Sequence, residues 1–249
     1  MYHYKAKKKK RASRRVITLI ISLFVLAGIV YLLFLSPVFK IKEIIISGSE
    51  RVSSEEIKKN LICDNIIFTT TKSVKSQLLN RIPEIMDLKI KKNLFKGRLE
   101  IHIQEREIVG ILCAEATMGT CFYFDKDGII FKAAPDTSGS LITSIKDYSE
   151  RSFKLGDSIL DKNFIDTILT IKENLSEKIG IKVSSFDIDS YPIEKLRVVT
   201  SESWYILFSL KRDIKSQLLA LKVALDEKIQ NRMSLEYVDL RIENRIYYK

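Results

Sequence analysis

RIPEIMDLKIKKNLFKGRLEIHIQER, residues 81–106, is where the chain settles into a period of two. Met86, Leu88 and Ile90 alternate with Asp87 and Lys89, and after Asn93–Gly97 the residues Leu99, Ile101 and Ile103 alternate with Glu100 and His102. Alternation of this kind builds strands with one apolar face, so the two runs read as a pair of strands half-buried against something that covers them. The cover lies just upstream. Ser53 with Glu56 has the form of a capping box, and Ile57 and Leu61 follow one turn apart, predicting a helix from Ser53 to about Leu61. A second helix is predicted from about Lys72 to Asn80, with Val74, Leu78 and Leu79 on one side and Pro83 beyond its end. Before both, Phe39, Ile41, Ile44, Ile45 and Ile46 run to Gly48 as a strand over Phe39–Ser47. The order strand, helix, helix, strand, strand describes one small module.

Ahead of that module stand twenty uncharged residues, Val16–Leu35, preceded by eight Lys/Arg and no acid in residues 1–15. At about 1.5 Å per residue such a helix reaches roughly 30 Å, the thickness of a hydrocarbon core. A signal peptide has an apolar run of about 7–15 residues followed by a small-residue cleavage site, whereas Ser36-Pro37-Val38 follows here. The segment is read as an uncleaved single anchor in the cytoplasmic (inner) membrane, the basic tail cytoplasmic and the bulk extracytoplasmic. The tail is also a candidate contact for anionic membrane lipid. The formal net charge of +11 falls to +3 once the eight leader cations are set aside, so no nucleic-acid partner is implied.

Three cysteines, Cys63, Cys113 and Cys121, exclude a disulfide-built scaffold. If a hairpin turns near Thr117, Cys113 and Cys121 fall opposite one another. In an oxidising compartment they can bond, the alternative being two buried thiols. Gly110–Cys113 and Cys121–Phe124 read as paired strands, and Asp125-Lys126-Asp127-Gly128 as a tight turn. A calcium loop would need further ligands and a closing Glu, and no metal is expected. Residues 133–148, with Pro135, Ser138, Gly139 and Ser140, read as an exposed connection. Helical spacing returns over Phe164–Ile179, strands follow at Val183–Ile188, Leu196–Val199 and Trp204–Leu210, and a last helix runs from about Asp213 to Gln230 with Ile214, Leu218, Leu221, Leu225 and Ile229 as its stripe. In EYVDLRIENRIYYK (236–249) Val238, Leu240 and Ile242 alternate with Asp239, Arg241 and Glu243, and the chain then either turns at Glu243-Asn244 or continues with a bulge. This terminal strand is expected at a sheet edge with open N–H and C=O groups.

SPVFKIKEIIISGSERVSSEEIKKNL (36–61) followed by NRIPEIMDLKIKKNLFKGRLEIHIQEREIVGIL (80–112) resembles a POTRA domain, with Pro83, Ile85, Glu105 and Arg106 in the family's positions. YFDKDGIIF (123–131), SWYILFSL (203–210) and the DLR of 239–241 extend the resemblance to the FtsQ/DivIB bacterial cell-division family. It implies an α+β chain divided into a basic tail (1–15), a transmembrane helix (16–35), a POTRA domain (36–106) and a mixed, mainly antiparallel β domain with covering helices (107–249). It also implies a non-enzymatic scaffold at the division septum. The β domain would dock FtsB/DivIC-like and FtsL-like proteins, alongside FtsW/FtsI-like synthesis proteins, with no cofactor and no small-molecule substrate. Matched position by position, Arg241, Ile242, Asn244 and Arg245 fall on the family's partner-contact strand, with Tyr247 and Tyr248 just after it. Arg241 reads equally as a surface ion-pair member, Ile242 as core, and the tyrosines as ordinary strand residues.

Two other functions compete with this one. A membrane-anchored envelope hydrolase or transferase needs a converging nucleophile and base, but only His3 and His102 are available as histidines, and Asp187 and Asp189 are two apart on a strand. A translocation or outer-membrane assembly protein would carry repeated modules and a barrel, for which there is no room.

Overall fold

The computed structural model describes residues 14–34, 36–115, 119–137 and 140–249. The basic leader through residue 13, the turn expected near Thr117, and Ser138 and Gly139 lie outside the described residues. The chain is α+β. It forms two compact units, one comprising the chain up to Arg81 with Asp87–Gln104, the other Ile82–Met86 with Glu105–Lys249.

The first unit opens with helix α1 (Arg14–Phe34), the one helix among the described residues long and apolar enough to cross a membrane. Its apolar side chains are exposed on all sides, an arrangement suited to a lipid solvent and not to water. Pro37 then starts a 3-10 turn over Pro37–Phe39, with Ser36 Oγ accepting from Val38 N at 3.3 Å. The strand expected from Phe39 therefore begins later, as β1 (Glu43–Ser47). Ser53 caps α2 (Ser54–Lys59) by accepting from Glu56 N at 3.1 Å, leaving Ile57 as its buried residue. Helix α3 (Thr71–Arg81) buries Val74 and Leu78. Strands β2 (Ile85–Asn93) and β3 (Arg98–Glu105) extend past the expected ends. Leu99, Ile101 and Ile103 are buried, as the alternation required. The sheet order is β1-β3-β2, with β1 parallel to β3 and Glu43 opposite Arg98.

The second unit is a nine-stranded mixed sheet in the order β12-β11-β10-β9-β8-β7-β4-β5-β6. Its strands are β4 (Gly110–Ala114), β5 (Thr120–Phe124), β6 (Ile130–Ala134), β7 (Thr143–Asp147), β8 (Val183–Ile188), β9 (Lys195–Thr200), β10 (Tyr205–Ser209), β11 (Tyr237–Asp239) and β12 (Tyr247–Tyr248). Helices α4 (Lys162–Asn174), continued by a π turn over Leu175–Ile179, and α5 (Ile214–Glu227) contribute Phe164, Ile165, Ile168, Ile171, Leu175, Leu218 and Leu221 to a single core with the sheet. At roughly 1.5–3 kcal/mol per buried aliphatic or aromatic side chain, this core is the main source of the unit's stability.

Register joins the strands into two rows. Leu112, Ile145, Phe186, Val198, Ile206 and Val238 stand opposite one another in turn and end at Tyr248. This row belongs to the core. The neighbouring row runs Cys121, Cys113, Lys146, Asp187, Arg197, Leu207, Asp239, Tyr247. Cys113 and Cys121 are cross-strand neighbours, 4.0 Å apart at Cα, and the structure joins them in a disulfide.

Strand β7 corrects the sequence reading, which took residues 133–148 as an exposed connection. Thr143–Asp147 is buried between β4 and β8, with a parallel partner on each side. Its polar side chains hid it. Thr143 Oγ1 accepts from Lys172 Nζ at 3.1 Å, and burial pulls that ammonium below its ordinary value. Asp147 accepts from Ser149 N at 2.8 Å and from the Arg151 guanidinium. Asp125 is turn chemistry, as its spacing suggests. Its Oδ1 accepts from Asp127 N (2.9 Å) and Ile129 N (3.0 Å), and its Oδ2 from Arg106 Nη1 at 2.5 Å. Gly128, at φ +74°, closes the turn where any Cβ would run into the Leu160 carbonyl.

The sheet's β11–β12 end is set by two local devices. Gln217, buried on α5, accepts from Ser209 N and donates to Ser209 O, both at 2.9 Å, tying the helix to β10. Asp239 accepts from Arg241 Nε at 2.8 Å and Nη2 at 2.6 Å and from Arg241 N at 3.0 Å. Asn244, at φ +58°, then turns the chain back into β12.

Replacing Arg106 with Ala would leave Asp125 Oδ2 buried and uncompensated, and denaturant unfolding is expected to show a loss of about 3 kcal/mol; a loss under about 1 kcal/mol would show that the pair is not structural. The Arg241 guanidinium holds the Asp239 carboxyl below its ordinary 3.8. A depressed carboxylate stabilises the fold above the unfolded value and loses that contribution as pH falls through the folded one. Arg241→Ala is therefore expected to cost about 1 kcal/mol at pH 7, with the difference from the parent closing below pH 3.8 in acid unfolding curves.

Candidate functional site

Strand β12 is the outermost strand at one end of the nine-stranded sheet. Lys249 N donates to Tyr237 O at 3.2 Å and Tyr237 N donates to Lys249 O at 3.3 Å, which makes 237/249 a hydrogen-bonded pair. In an antiparallel ladder such pairs alternate with non-bonded ones, so the backbone N–H and C=O of Tyr248, opposite Val238, face away from β11. Among the described residues no strand pairs with that outer side. The opposite end of the sheet differs. There Ile130 N donates to Asp157 O at 3.1 Å and Gly156 N to Ile130 O at 2.7 Å, covering the start of β6.

Beside β12 lies a groove of about 690 Å³ between α5 and the β11–β12 turn. One wall is the outer face of α5, Leu219, Ala220 and Val223; the other is Ile242, Asn244, Arg245, Ile246 and Tyr248. Leu219 is 64% exposed and Tyr248 48%, although Tyr248 occupies a position that continues a buried row. Tyr248 ends the core row, so the groove is the core carried one strand past its last cover.

The six residues read from sequence as partner contacts separate in space. Ile242, Asn244, Arg245 and Tyr248 line the groove. Tyr247 stands opposite Asp239 and so belongs to the other face of the sheet. Arg241 is clasped by Asp239, so its fork sets the turn. The sequence reading places the two tyrosines together just after the contact strand, whereas the register puts them on opposite faces of the sheet. Leu219 and Val223 were missed because they lie outside the buried stripe of α5; the signal was an apolar i, i+4 pair on what should have been the polar face. Ile246 was also missed, as a lone apolar residue after a turn.

The histidine and the two carboxylates weighed for a rival enzyme have the following surroundings. His102 is exposed, 3.2 Å through Nδ1 from Ser47 Oγ. Burial raises the Asp187 carboxyl above its ordinary value, and Ser185 Oγ donates to it at 2.7 Å. Asp189 is an exposed partner of Arg197 at 3.9 Å.

Residues 39–106 match the family described as POTRA domain, FtsQ-type. Among curated proteins the chain is similar to the cell division protein DivIB of Clostridium botulinum strains Hall and Loch Maree, 25% identical in each case over 163 residues, 65% of this chain and 61% of those proteins. It is also similar to the cell division protein DivIB of Bacillus anthracis, 29% identical over 124 residues, 49% of this chain and 42% of that protein. The matched region thus spans about three fifths of the Clostridium relatives' length. An apolar helix, an FtsQ-type POTRA domain and a large mixed sheet follow one another in a chain similar to three DivIB cell-division proteins, so its likeness is to the FtsQ/DivIB family.

Proposed function

We propose that this chain is a single-pass scaffold of the bacterial division machinery, its basic tail cytoplasmic and its two folded units extracytoplasmic at the septum. Its role is to hold bitopic partners of the FtsB/DivIC and FtsL type against septal wall-synthesis proteins of the FtsW/FtsI type. The tail's eight cations beside a charge-free anchor support that orientation. In the oxidising space outside the membrane the Cys113–Cys121 bond is maintained.

The observation that carries the reading is the junction of the unpaired side of β12 with the groove beside α5. An extended segment from a partner can add a strand to β12, main-chain hydrogen bonds giving affinity. Its flanking apolar side chains then enter the groove and complete the layer that Tyr248, Leu219 and Val223 leave uncovered. Aromatic and Arg side chains in such a setting are the usual anchors, which suits Tyr248 and Arg245.

Full-length chain titrated against a DivIC-like partner is expected to lose affinity roughly tenfold with either Tyr248→Ala or Leu219→Glu. Both residues are exposed in the free chain, so the unfolding temperature should hold in each variant. Unchanged affinity in both, with folding intact, would rule out docking at this edge.

A further inference from the structure

We infer that the end of the first unit nearest the anchor is a second membrane contact, in which the β2–β3 turn rests in the interface of an anionic phospholipid surface. The inference depends on α1 spanning the bilayer, as the scaffold reading requires.

Topology sets the position. Because β1 runs parallel to β3 and Glu43 stands opposite Arg98, the turn over residues 94–97 lies at the end of the sheet where the chain arrives from α1. Lys42 N donates to Gly97 O at 2.8 Å, which fastens the turn to that arriving segment. The 62–69 loop joins the same end. Ile66 N donates to Phe39 O at 2.9 Å, Lys92 Nζ donates to Ile66 O and Thr69 O at 3.1 and 2.8 Å, and Asn65 Nδ2 donates to Leu33 O of α1 at 2.8 Å. Phe34, on the last turn of α1, stacks on Phe68 with ring centroids 4.3 Å apart. A helix whose final turn is bonded to the unit in this way holds that end of the sheet close to the bilayer.

Chemistry supplies the second argument. Phe95, at the tip, is 102% exposed, and Leu94, Phe68 and Val38 are exposed around the same end. A fully exposed Phe in water has no packing reason to be there; at a lipid interface, aromatic and aliphatic tips find an apolar medium. The turn is also preformed, Asn93 Oδ1 accepting from Lys96 N at 3.2 Å and Gly97 taking φ +62°, so little ordering is needed on contact. Lys40, Lys42, Lys91 and Lys96 are exposed and, among the described residues, have no carboxylate partner. Arg98 is paired with Glu43, and the acids Asp64 and Glu100, the latter lining a pocket with Lys91, only partly offset these cations. The local excess of cations matches anionic headgroups, each cation near such a surface contributing on the order of 1 kcal/mol.

The test uses the full chain with Phe95→Trp, reconstituted in vesicles of phosphatidylcholine with or without phosphatidylglycerol, with bromine on the acyl chains. Trp204, the one native tryptophan, is fully buried and gives the parent baseline. Co-flotation after a high-salt wash reads the anchor independently, so a failure of the spanning reading is recognised as such. The added emission is expected to be blue-shifted and quenched by the brominated lipid, more so with phosphatidylglycerol, and Lys91→Glu with Lys96→Glu should remove the dependence on anionic lipid. Water-like, unquenched emission from a floated chain would overturn the inference, as would a blue shift without quenching, which would mean that the tip is buried in protein. Equal quenching in both lipids would refute the electrostatic half.

Discussion

A sheet whose core row runs across six neighbouring strands must be closed at its ends, and at β12 this one is not. Leu112 through Val238 are covered by α4 and α5, while Tyr248, next in the row, is half exposed and has no further strand beside it among the described residues. The backbone at that strand presents the same opening in hydrogen-bonding terms. Apolar burial and main-chain pairing are therefore incomplete at one place, and a single added segment can satisfy both. The β6 end lacks this coincidence because the 156–157 backbone already covers its start. The asymmetry makes the sheet directional, with one end partly covered and one end available.

The first unit obeys a different constraint. A helix with apolar residues on every side has no stable place in water, and a bilayer accepts it because every backbone group is bonded internally. Among the described residues, the 3-10 turn at Pro37, the Asn65–Leu33 hydrogen bond and the Phe34–Phe68 stack tie the end of α1 to the sheet's unit. Such ties are consistent with a scaffold, which works by holding partners at a set position.

Much of this was legible in the residues, for reasons that differ by element. Leu99, Ile101 and Ile103 alternate against charged neighbours on a sheet with one covered face, so periodicity alone located β3. Ser53 and Asp213 were recognisable as helix starts because their side-chain oxygens do the capping, accepting from Glu56 N and Ser216 N. β7 was invisible because a strand buried on both sides needs no alternation, and its buried polar residues are satisfied by groups the strand pattern does not show, Thr143 by Lys172 and Asp147 by Ser149 and Arg151. The candidate site was half legible. Its strand could be read from Val238, Leu240 and Ile242, but the opposing wall required knowing which face of α5 the sheet leaves uncovered. That depends on Gln217, a polar residue buried where a stripe of aliphatic side chains would have been drawn.

Hydrogen exchange of the full-length chain, alone and saturated with a coiled-coil division partner, tests the central claim most directly. The account predicts slowed exchange at the amides of Ile246–Tyr248 and along α5 near Leu219–Val223, with the β6 end unchanged. Protection confined to the POTRA sheet or to β6, with Tyr248 exchanging as freely as before, would contradict it.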